Sequence, residues 1–137
     1  YNKKIDIENT KKLKKLINKF GWLNKERFGG KSEIYSWVIV QHADYGVKFQ
    51  EKCLKLMKEF PKEKRREQHI AYLSDRILVN KKRKQLYGTQ FYTDKKGKFK
   101  PRPIRDFKNI EKRRKQMNLK SFKKYINEIN KFKKCQK

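Results

Sequence analysis

Residues 71–91, which read AYLSDRILVNKKRKQLYGTQF, decide the fold because they contain a change from a helical to a strand-like pattern. Apolar residues recur at helical spacing in the first half, and we expect this helix from about residue 64 to residue 79. Residues 85–92 are rich in Leu, Tyr, Thr and Phe, which is typical of a strand. The turn-forming sequence Asp-Lys-Lys-Gly at residues 94–97 and a short segment after it complete a predicted β-hairpin.

Three more helices are expected upstream of this region and two downstream. The first, of about ten residues, is capped by Asn9 or Thr10 and ends at Gly21. The second is capped by Ser32 and ends at His42, and its nearly continuous apolar stretch predicts burial on most sides. The remaining helices are expected at residues 47–60, 109–117 and 121–132.

Together these patterns predict a mainly α protein with about six helices and one β-hairpin, which is a small single-domain α+β fold. We expect one domain over residues 1–137, with a helical core at 1–80, the β-hairpin at 85–100 and basic C-terminal helices at 105–137. A hydrophobic fraction of 35% is enough to supply one core in a chain of this length.

The chain is strongly basic, with 41 Lys and Arg residues against 14 Asp and Glu residues and a formal net charge of +27. Residues 95–137 are the densest part, with 18 basic and three acidic residues. Such a charge attracts polyanions, whether nucleic acid, an anionic membrane surface or an acidic protein. A general preference for lysine would explain the same composition without a function, and this alternative stays open.

Several other classes of protein find no support in the sequence. Cys53 and Cys135 are the only cysteines, and neither has a Cys or His neighbour at metal-ligand spacing. We therefore expect no disulfide framework, no metal site and no cofactor. No apolar segment reaches the roughly 18 residues of a membrane span, and no signal peptide is recognisable. Because the chain begins at Tyr1 rather than Met, we expect a processed product or one domain of a longer polypeptide.

Three polar stretches stand within apolar sequence, at residues 41–44, 72–76 and 85–90. Polar side chains in such surroundings either find partners inside the protein or face a ligand. We expect the three stretches to form one site.

The order of these stretches resembles that of a bacterial domain family with no assigned function. The resemblance extends over about 100 residues and is carried by W-V-I-V-Q-H-A-D at 37–44, A-Y-L-S-D-R-I-L-V-N at 71–80 and Q-L-Y-G-T-Q-F at 85–91, followed by K-P-R-P-I and the pair Arg113-Arg114. It implies characteristic positions, but no reaction, for six residues: His42, Asp44, Asp75, Arg76, Tyr87 and Gln90.

Five of these side chains can be given catalytic roles. Histidine accepts and releases protons near neutral pH, so His42 is the candidate general base or acid. Asp75 is a candidate to orient His42 or to balance Arg76, whose guanidinium can hold a phosphate. Tyr87 and Gln90 can donate hydrogen bonds to an oxyanion. Alternatively, His42 is a core histidine and Asp75 forms a structural ion pair with Arg76.

Basic residues in and after the hairpin are expected to bind the phosphates of a nucleic acid: Lys95, Lys96, Lys98, Lys100, Arg102, Arg105, Arg113 and Arg114. Aromatic residues lie among them and can either stack on unpaired bases or complete the core: Tyr92, Phe99, Phe107 and Phe122. The second histidine of the chain, His69, is expected to be an exposed helix residue.

The leading hypothesis is a basic domain that acts on nucleic acid, with RNA favoured, as a metal-independent ribonuclease. RNA suits this hypothesis because its 2′-hydroxyl can attack the adjacent phosphate without a metal. The domain would be the effector of a secreted bacterial toxin, would act in the cytoplasm, and would have an acidic immunity or regulatory protein as a partner. Two alternatives stay open. One is a noncatalytic module that binds nucleic acid or an acidic protein, and the other is a hydrolase or transferase acting on a small anionic substrate.

Overall fold

The computed structural model describes residues 2–135, so Tyr1 and the last two residues of the predicted C-terminal region lie outside the described residues. These residues form seven α-helices and one two-stranded hairpin: α1 (Lys3–Phe20), α2 (Lys25–Phe28), α3 (Gly30–His42), α4 (Val47–Glu59), α5 (Glu67–Asn80), β1 (Phe91–Thr93), β2 (Phe99–Pro101), α6 (Ile110–Gln116) and α7 (Phe122–Lys134). Short 3-10 helices cover Lys62–Lys64 and Phe107–Asn109. The predicted fold class, mainly helical with one antiparallel hairpin, is confirmed.

The chain divides into two compact units, residues 1–69 and residues 70–137. The single domain and its three regions, expected from the sequence, stay predictions.

The first unit begins with a longer helix than the sequence predicted. Oδ1 of Asn2 accepts hydrogen bonds from the backbone N–H groups of Lys4 and Ile5, so it caps α1 seven residues before the expected start. The predicted cap at Asn9 or Thr10 is wrong, because both residues lie inside the helix. The predicted end at Gly21 is confirmed.

Helix α3 is less buried than its apolar sequence predicted. Ile34, Tyr35 and Val38 are all exposed, while Val40 is fully buried. The helix begins after Gly29, whose φ of 86° favours glycine, and Ser32 lies within the helix rather than at its cap. The prediction that this helix is buried on most sides is therefore wrong.

The strand expected at residues 85–92 is much shorter in the structure. Only residues 91–93 pair with β2, with Phe91 opposite Pro101 and Thr93 opposite Phe99. Leu86, Tyr87 and Thr89 give their backbone N–H groups to a side chain instead of to a neighbouring strand, as described below, and this prevents strand pairing there. The turn at residues 94–97 is confirmed, and Pro101 is the last residue of the pairing.

The second unit is completed by α6 and α7. Oγ of Ser121 accepts a hydrogen bond from the backbone N–H of Lys124 and caps α7. Ile110 and Phe122 are buried. The ring of Phe107 packs edge-on against the ring of Phe122, with 5.6 Å between the ring centres. The two predicted basic helices are present within one to two residues of their expected bounds.

Candidate functional site

The second unit contains a loop, residues 85–90, that is held by a single buried carboxylate. Oδ1 of Asp75, on α5, accepts hydrogen bonds from the backbone N–H groups of Leu86 (2.7 Å) and Tyr87 (3.0 Å). Oδ2 accepts from the backbone N–H (3.0 Å) and the hydroxyl (2.9 Å) of Thr89. Asp75 is 0% exposed. We call residues 85–90 the Asp75 loop.

The side chain of Gln85, the first residue of the Asp75 loop, joins it to Gln90, the last residue. Its Oε1 accepts from the backbone N–H of Gln90 (2.8 Å), and its Nε2 donates to the carbonyl oxygens of Gln90 (2.9 Å) and Arg102 (2.8 Å). The backbone of Gln85 also bonds to Pro103 and Arg105. All four polar groups of this residue are therefore used inside the protein, as burial requires.

Two consecutive arginines of α6 bind carbonyl oxygens of the same loop. Nε of Arg113 donates to the carbonyl of Leu86 (2.8 Å), and Nη1 of Arg114 donates to the carbonyl of Tyr87 (2.6 Å). Arg114 is 2% exposed, and its guanidinium also contacts the ring of Tyr125, 4.9 Å from the ring centre. The loop is thus fixed both through its N–H groups and through its carbonyl groups.

Burial changes the ionisation of two groups that hold the loop. It raises the pKa of Asp75, against the lowering effect of the hydrogen bonds from Thr89, Leu86 and Tyr87. It lowers the pKa of Arg114, against the opposing effect of nearby tyrosines and carboxylates. Four donors converge on one carboxylate at short distances, so the geometry assigns Asp75 to the support of the loop.

The Asp75 loop brings together four of the five predicted catalytic residues. Nη1 of Arg76, one residue after Asp75, donates to Oε1 of Gln90 at 3.4 Å, and Nε2 of Gln90 donates to Oγ1 of Thr89 at 3.1 Å. Arg76, Tyr87 and Gln90 are each partly exposed. A guanidinium and an amide at a fixed, partly exposed loop can together hold an anionic group.

The fifth residue, His42, belongs to the first unit. It is the last residue of α3 and is exposed, so the alternative of a core histidine is wrong. Nε2 of the buried Gln50 donates to the carbonyl of Val40 (3.1 Å) and to Oδ1 of Asp44 (3.3 Å), which fixes the turn that follows His42. The predicted approach of His42 to the other four residues stays a prediction.

The predicted phosphate-binding residues fall into two groups. Six of them are exposed: Lys95, Lys96, Lys98, Lys100, Arg102 and Arg105. Nζ of Lys100 forms an ion pair with Asp94 at 3.0 Å, and the guanidinium of Arg102 lies 5.4 Å from the centre of the Tyr92 ring. Arg113 and Arg114 instead bind carbonyl oxygens, and the burial of Arg114 prevents contact with a phosphate. Both guanidinium groups are therefore engaged within the second unit.

Sequence reasoning missed two residues that build the loop and one that supports the turn after His42: Gln85, Thr89 and Gln50. Gln85 and Thr89 are polar residues within the stretch Q-L-Y-G-T-Q-F, and that was the available signal for them, whereas Gln50 lies among charged residues that gave no such signal. Within residues 2–135, no group of three His, Cys, Asp or Glu residues could hold a metal ion. In the same part of the chain, every helix is too short or too polar to span a membrane.

The fold and the Asp75 loop define a small, basic, mainly helical protein whose second unit contains a hydrogen-bonded polar loop. The chain belongs to a family of unknown function (DUF6624), whose model matches residues 2–134. No curated protein and no solved structure matches the chain.

Proposed function

We propose that the protein binds nucleic acid, with RNA as the favoured ligand, through the hairpin and the basic segments of the second unit. The observation that carries this proposal is the β-turn at residues 94–97 together with the residue that follows it, because Lys95, Lys96 and Lys98 are all exposed there. Their ammonium groups form no ion pair within the described residues. Three positive charges within four consecutive residues repel one another. A polyanion that binds there relieves this repulsion and releases its own counterions.

Asp94 fixes the backbone that carries these lysines. Oδ1 of Asp94 accepts the backbone N–H groups of Lys96 (2.9 Å) and Lys98 (2.8 Å), and Oδ2 pairs with Nζ of Lys100 (3.0 Å). The hydrogen bonds and the neighbouring cation lower the pKa of Asp94, which keeps the carboxylate charged. A fixed turn loses little conformational freedom when it binds, which favours a ligand with regularly spaced charges such as a phosphate backbone.

Binding to labelled single-stranded RNA, followed by fluorescence anisotropy between about 50 and 300 mM salt, tests the proposal. The affinity should fall steeply with salt. Replacing Lys95, Lys96 and Lys98 together by Gln should reduce the slope of log affinity against log salt by about 2, because each phosphate contact on a single strand contributes about 0.7. Binding that is independent of salt would overturn the proposal.

A matched variant separates this surface from net charge alone. Lys3, Lys4 and Lys11 are exposed residues of α1, and their replacement by Gln removes the same three charges. This variant should retain the salt dependence of the parent protein. Equal losses in the two triple variants would mean that only the total charge matters.

Cleavage of RNA without a metal is the second candidate function, and the arrangement of Arg76 and Gln90 on the Asp75 loop favours it. In this reaction the 2′-oxygen attacks the adjacent phosphorus and the 5′-oxygen leaves, giving a 2′,3′-cyclic phosphate. A base removes the proton of the 2′-hydroxyl and an acid gives a proton to the 5′-oxygen. His42 is the candidate for one of these roles, Arg76 for holding the phosphate, and Tyr87 and Gln90 for donating to its oxygens.

Incubation with total RNA and with single-stranded DNA in EDTA tests this second function. The protein should cut RNA into fragments with cyclic phosphate ends and leave DNA intact, because DNA has no 2′-hydroxyl. The His42→Ala variant should lose cleavage while its circular dichroism spectrum is unchanged. If both proteins bind RNA and neither cleaves it, RNA cleavage is rejected and RNA binding remains as the proposed function.

Three further parts of the hypothesis depend on RNA cleavage. They are a role as the effector domain of a bacterial toxin, a site of action in the cytoplasm, and an acidic protein that blocks the basic surface. Inhibition by such a protein would require negative charge opposite Lys95, Lys96 and Lys98.

A further inference from the structure

The hairpin and α7 enclose an apolar groove of about 450 Å³ in the second unit. Its lining residues are Phe99, Tyr125, Glu128, Ile129, Phe132 and Lys133. Phe132 is 67% exposed, which is unusual for a large apolar side chain. Neither the Asp75 loop nor the lysines of the hairpin turn contribute to this lining.

The wall of the groove is an organised set of aromatic rings. Phe99 of β2 stacks on Phe91 of β1 with 4.8 Å between ring centres and 11° between ring planes. Tyr125 meets Phe91 edge-on at 5.7 Å, and its hydroxyl accepts a hydrogen bond from Tyr72 at 3.3 Å. These contacts fix the orientation of the wall before any ligand binds.

One cation already lies on this wall. Nζ of Lys133 is 4.1 Å from the centre of the Phe99 ring. Since Phe91 stacks on one face of Phe99, the ammonium group covers the other face. A cation–π contact at a partly exposed site is weaker than the stacking of a nucleobase on an aromatic ring. A base can therefore replace Lys133 on the ring, and the released ammonium group can bind the adjacent phosphate.

We propose that this groove binds an unpaired base of a single-stranded nucleic acid, stacked on Phe132 and Phe99, with Lys133 on the neighbouring phosphate. This inference rests on the proposed function and adds that the ligand is single-stranded. A base in a duplex is already stacked and paired, so it cannot enter a groove of this kind without being unpaired first.

Charge around the groove favours the same ligand. Lys133 lines the groove, and two further lysines of α7 lie beside Glu128 on the helix surface, four residues before it and three residues after it: Lys124 and Lys131. The carboxylate of Glu128 is the one acidic group in the lining, and it pairs with Lys120 at 3.0 Å.

The test compares single-stranded and duplex oligonucleotides of equal length binding to the parent protein and to variants. Phe132→Ala should weaken single-strand binding about tenfold, within the range for one stacked base. Duplex binding should not change, because a duplex offers no unpaired base. For single strands the slope of log affinity against log salt should fall by at most about 0.7, which is the contribution of the one phosphate contact of Lys133. Phe132→Trp should retain the affinity and Phe132→Leu should not, since only the aromatic side chain stacks.

Phe107→Ala is the matched control. Phe107 is also exposed, but it packs on Phe122, which lies ten residues before Phe132 in α7, about 15 Å along the helix axis. This variant should bind single strands like the parent protein. A base analogue whose fluorescence is quenched by stacking should report quenching with the parent protein and not with Phe132→Ala.

The outcomes separate the two proposals. If Phe132→Ala binds single strands as the parent protein does and the triple lysine variant binds them more weakly, the groove is not a base-binding site and the proposed function stands. Equal losses for single strands and duplexes in Phe132→Ala would also overturn the groove as a base site. An absence of salt-dependent binding to any nucleic acid by the parent protein would overturn both.

Discussion

Thr89 donates both its backbone N–H and its hydroxyl to Oδ2 of Asp75, at 3.0 and 2.9 Å. Both residues are buried, so any loss of this acceptor leaves donors without a partner in a place that water reaches poorly. The pair therefore explains why residues 86–89 form a fixed loop rather than the strand that their side chains favour. Because Oγ1 of Thr89 also accepts a hydrogen bond from Nε2 of Gln90, Asp75 positions Gln90 through Thr89.

Replacing Asp75 by Asn should destabilise the protein strongly. Asn retains one oxygen acceptor, but its NH₂ group faces donors of the Asp75 loop. We expect the free energy of unfolding to fall by about 3 kcal/mol, the range for a lost buried charged acceptor with an unsatisfied donor. Urea unfolding followed by circular dichroism measures this change.

Asp94→Asn is the control for this variant. Asp94 also accepts backbone N–H groups, from Lys96 and Lys98, but in an exposed turn where water can replace the lost bonds. Asp94→Asn should therefore lower the free energy of unfolding clearly less than Asp75→Asn does. Similar losses for the two variants would show that burial of Asp75 does not determine its contribution.

Gly88 is expected to be intolerant of any side chain. Its φ is 69°, and an added Cβ would lie 2.6 Å from a ring carbon of Phe122 and 3.1 Å from Cδ1 of Ile110. Gly88→Ala should therefore cost about 3 kcal/mol or more in unfolding free energy, since backbone strain and overpacking add.

Gly97→Ala isolates the backbone part of that cost. Gly97 has a similar φ of 73°, but an added Cβ would meet nothing within 4 Å. We expect this variant to cost about 1 kcal/mol, from the left-handed conformation alone. Thermal unfolding of both variants gives the comparison, and equal costs would contradict the packing argument.

The helices could be predicted from the sequence because their apolar residues repeat at helical spacing, as Leu13 and Ile17 do in α1. The helix ends were harder to predict. In α1, for example, the Asn2 cap precedes the apolar pattern by several residues. The strand expected at 85–92 was misplaced because its composition favours a strand, whereas a distant carboxylate on α5 decides the backbone conformation.

Four of the five predicted catalytic residues lie at one loop, but their roles there could not be predicted from the sequence. Asp75, Arg76, Tyr87 and Gln90 were identified as polar residues in apolar surroundings, and they do meet at one loop. The roles could not be assigned in advance, because the hydrogen bonds link residues more than ten positions apart. Arg114 shows the same limit: its sequence neighbours are basic, and its partners are carbonyl groups and rings.

Arg114→Lys should be destabilising although it retains the charge. Nε and Nη1 of Arg114 donate to the carbonyls of Lys120 (2.7 Å) and Tyr87 (2.6 Å), and one ammonium group cannot reproduce this fork. We expect a loss of about 2 kcal/mol in unfolding free energy. Arg105→Lys, at an exposed side chain, should change stability little, and an equal effect there would contradict the role of the fork.

His69 is not the exposed helix residue that the sequence predicted. Its ring stacks on Trp37 with 4.2 Å between ring centres, and its carbonyl accepts a hydrogen bond from Nε1 of Trp37 at 3.1 Å. Nδ1 is buried without a hydrogen-bond partner among the described residues. Burial, with a smaller contribution from the positive charge of Arg66, lowers the pKa of His69 to about 4.

This shift predicts a loss of stability in mild acid. The unfolded chain binds the proton with a pKa of 6.5 and the folded protein with a pKa of about 4, so the unfolded state binds more protons between these values. The contribution of neutral His69 is complete above pH 6.5 and should be lost as the pH falls towards 4, by about 2 kcal/mol after allowance for partial exposure. His69→Phe retains an aromatic ring beside Trp37 but does not titrate. Urea unfolding at several pH values should therefore show the parent protein losing stability relative to His69→Phe across this window. A constant difference between the two proteins would show that His69 does not titrate in this way.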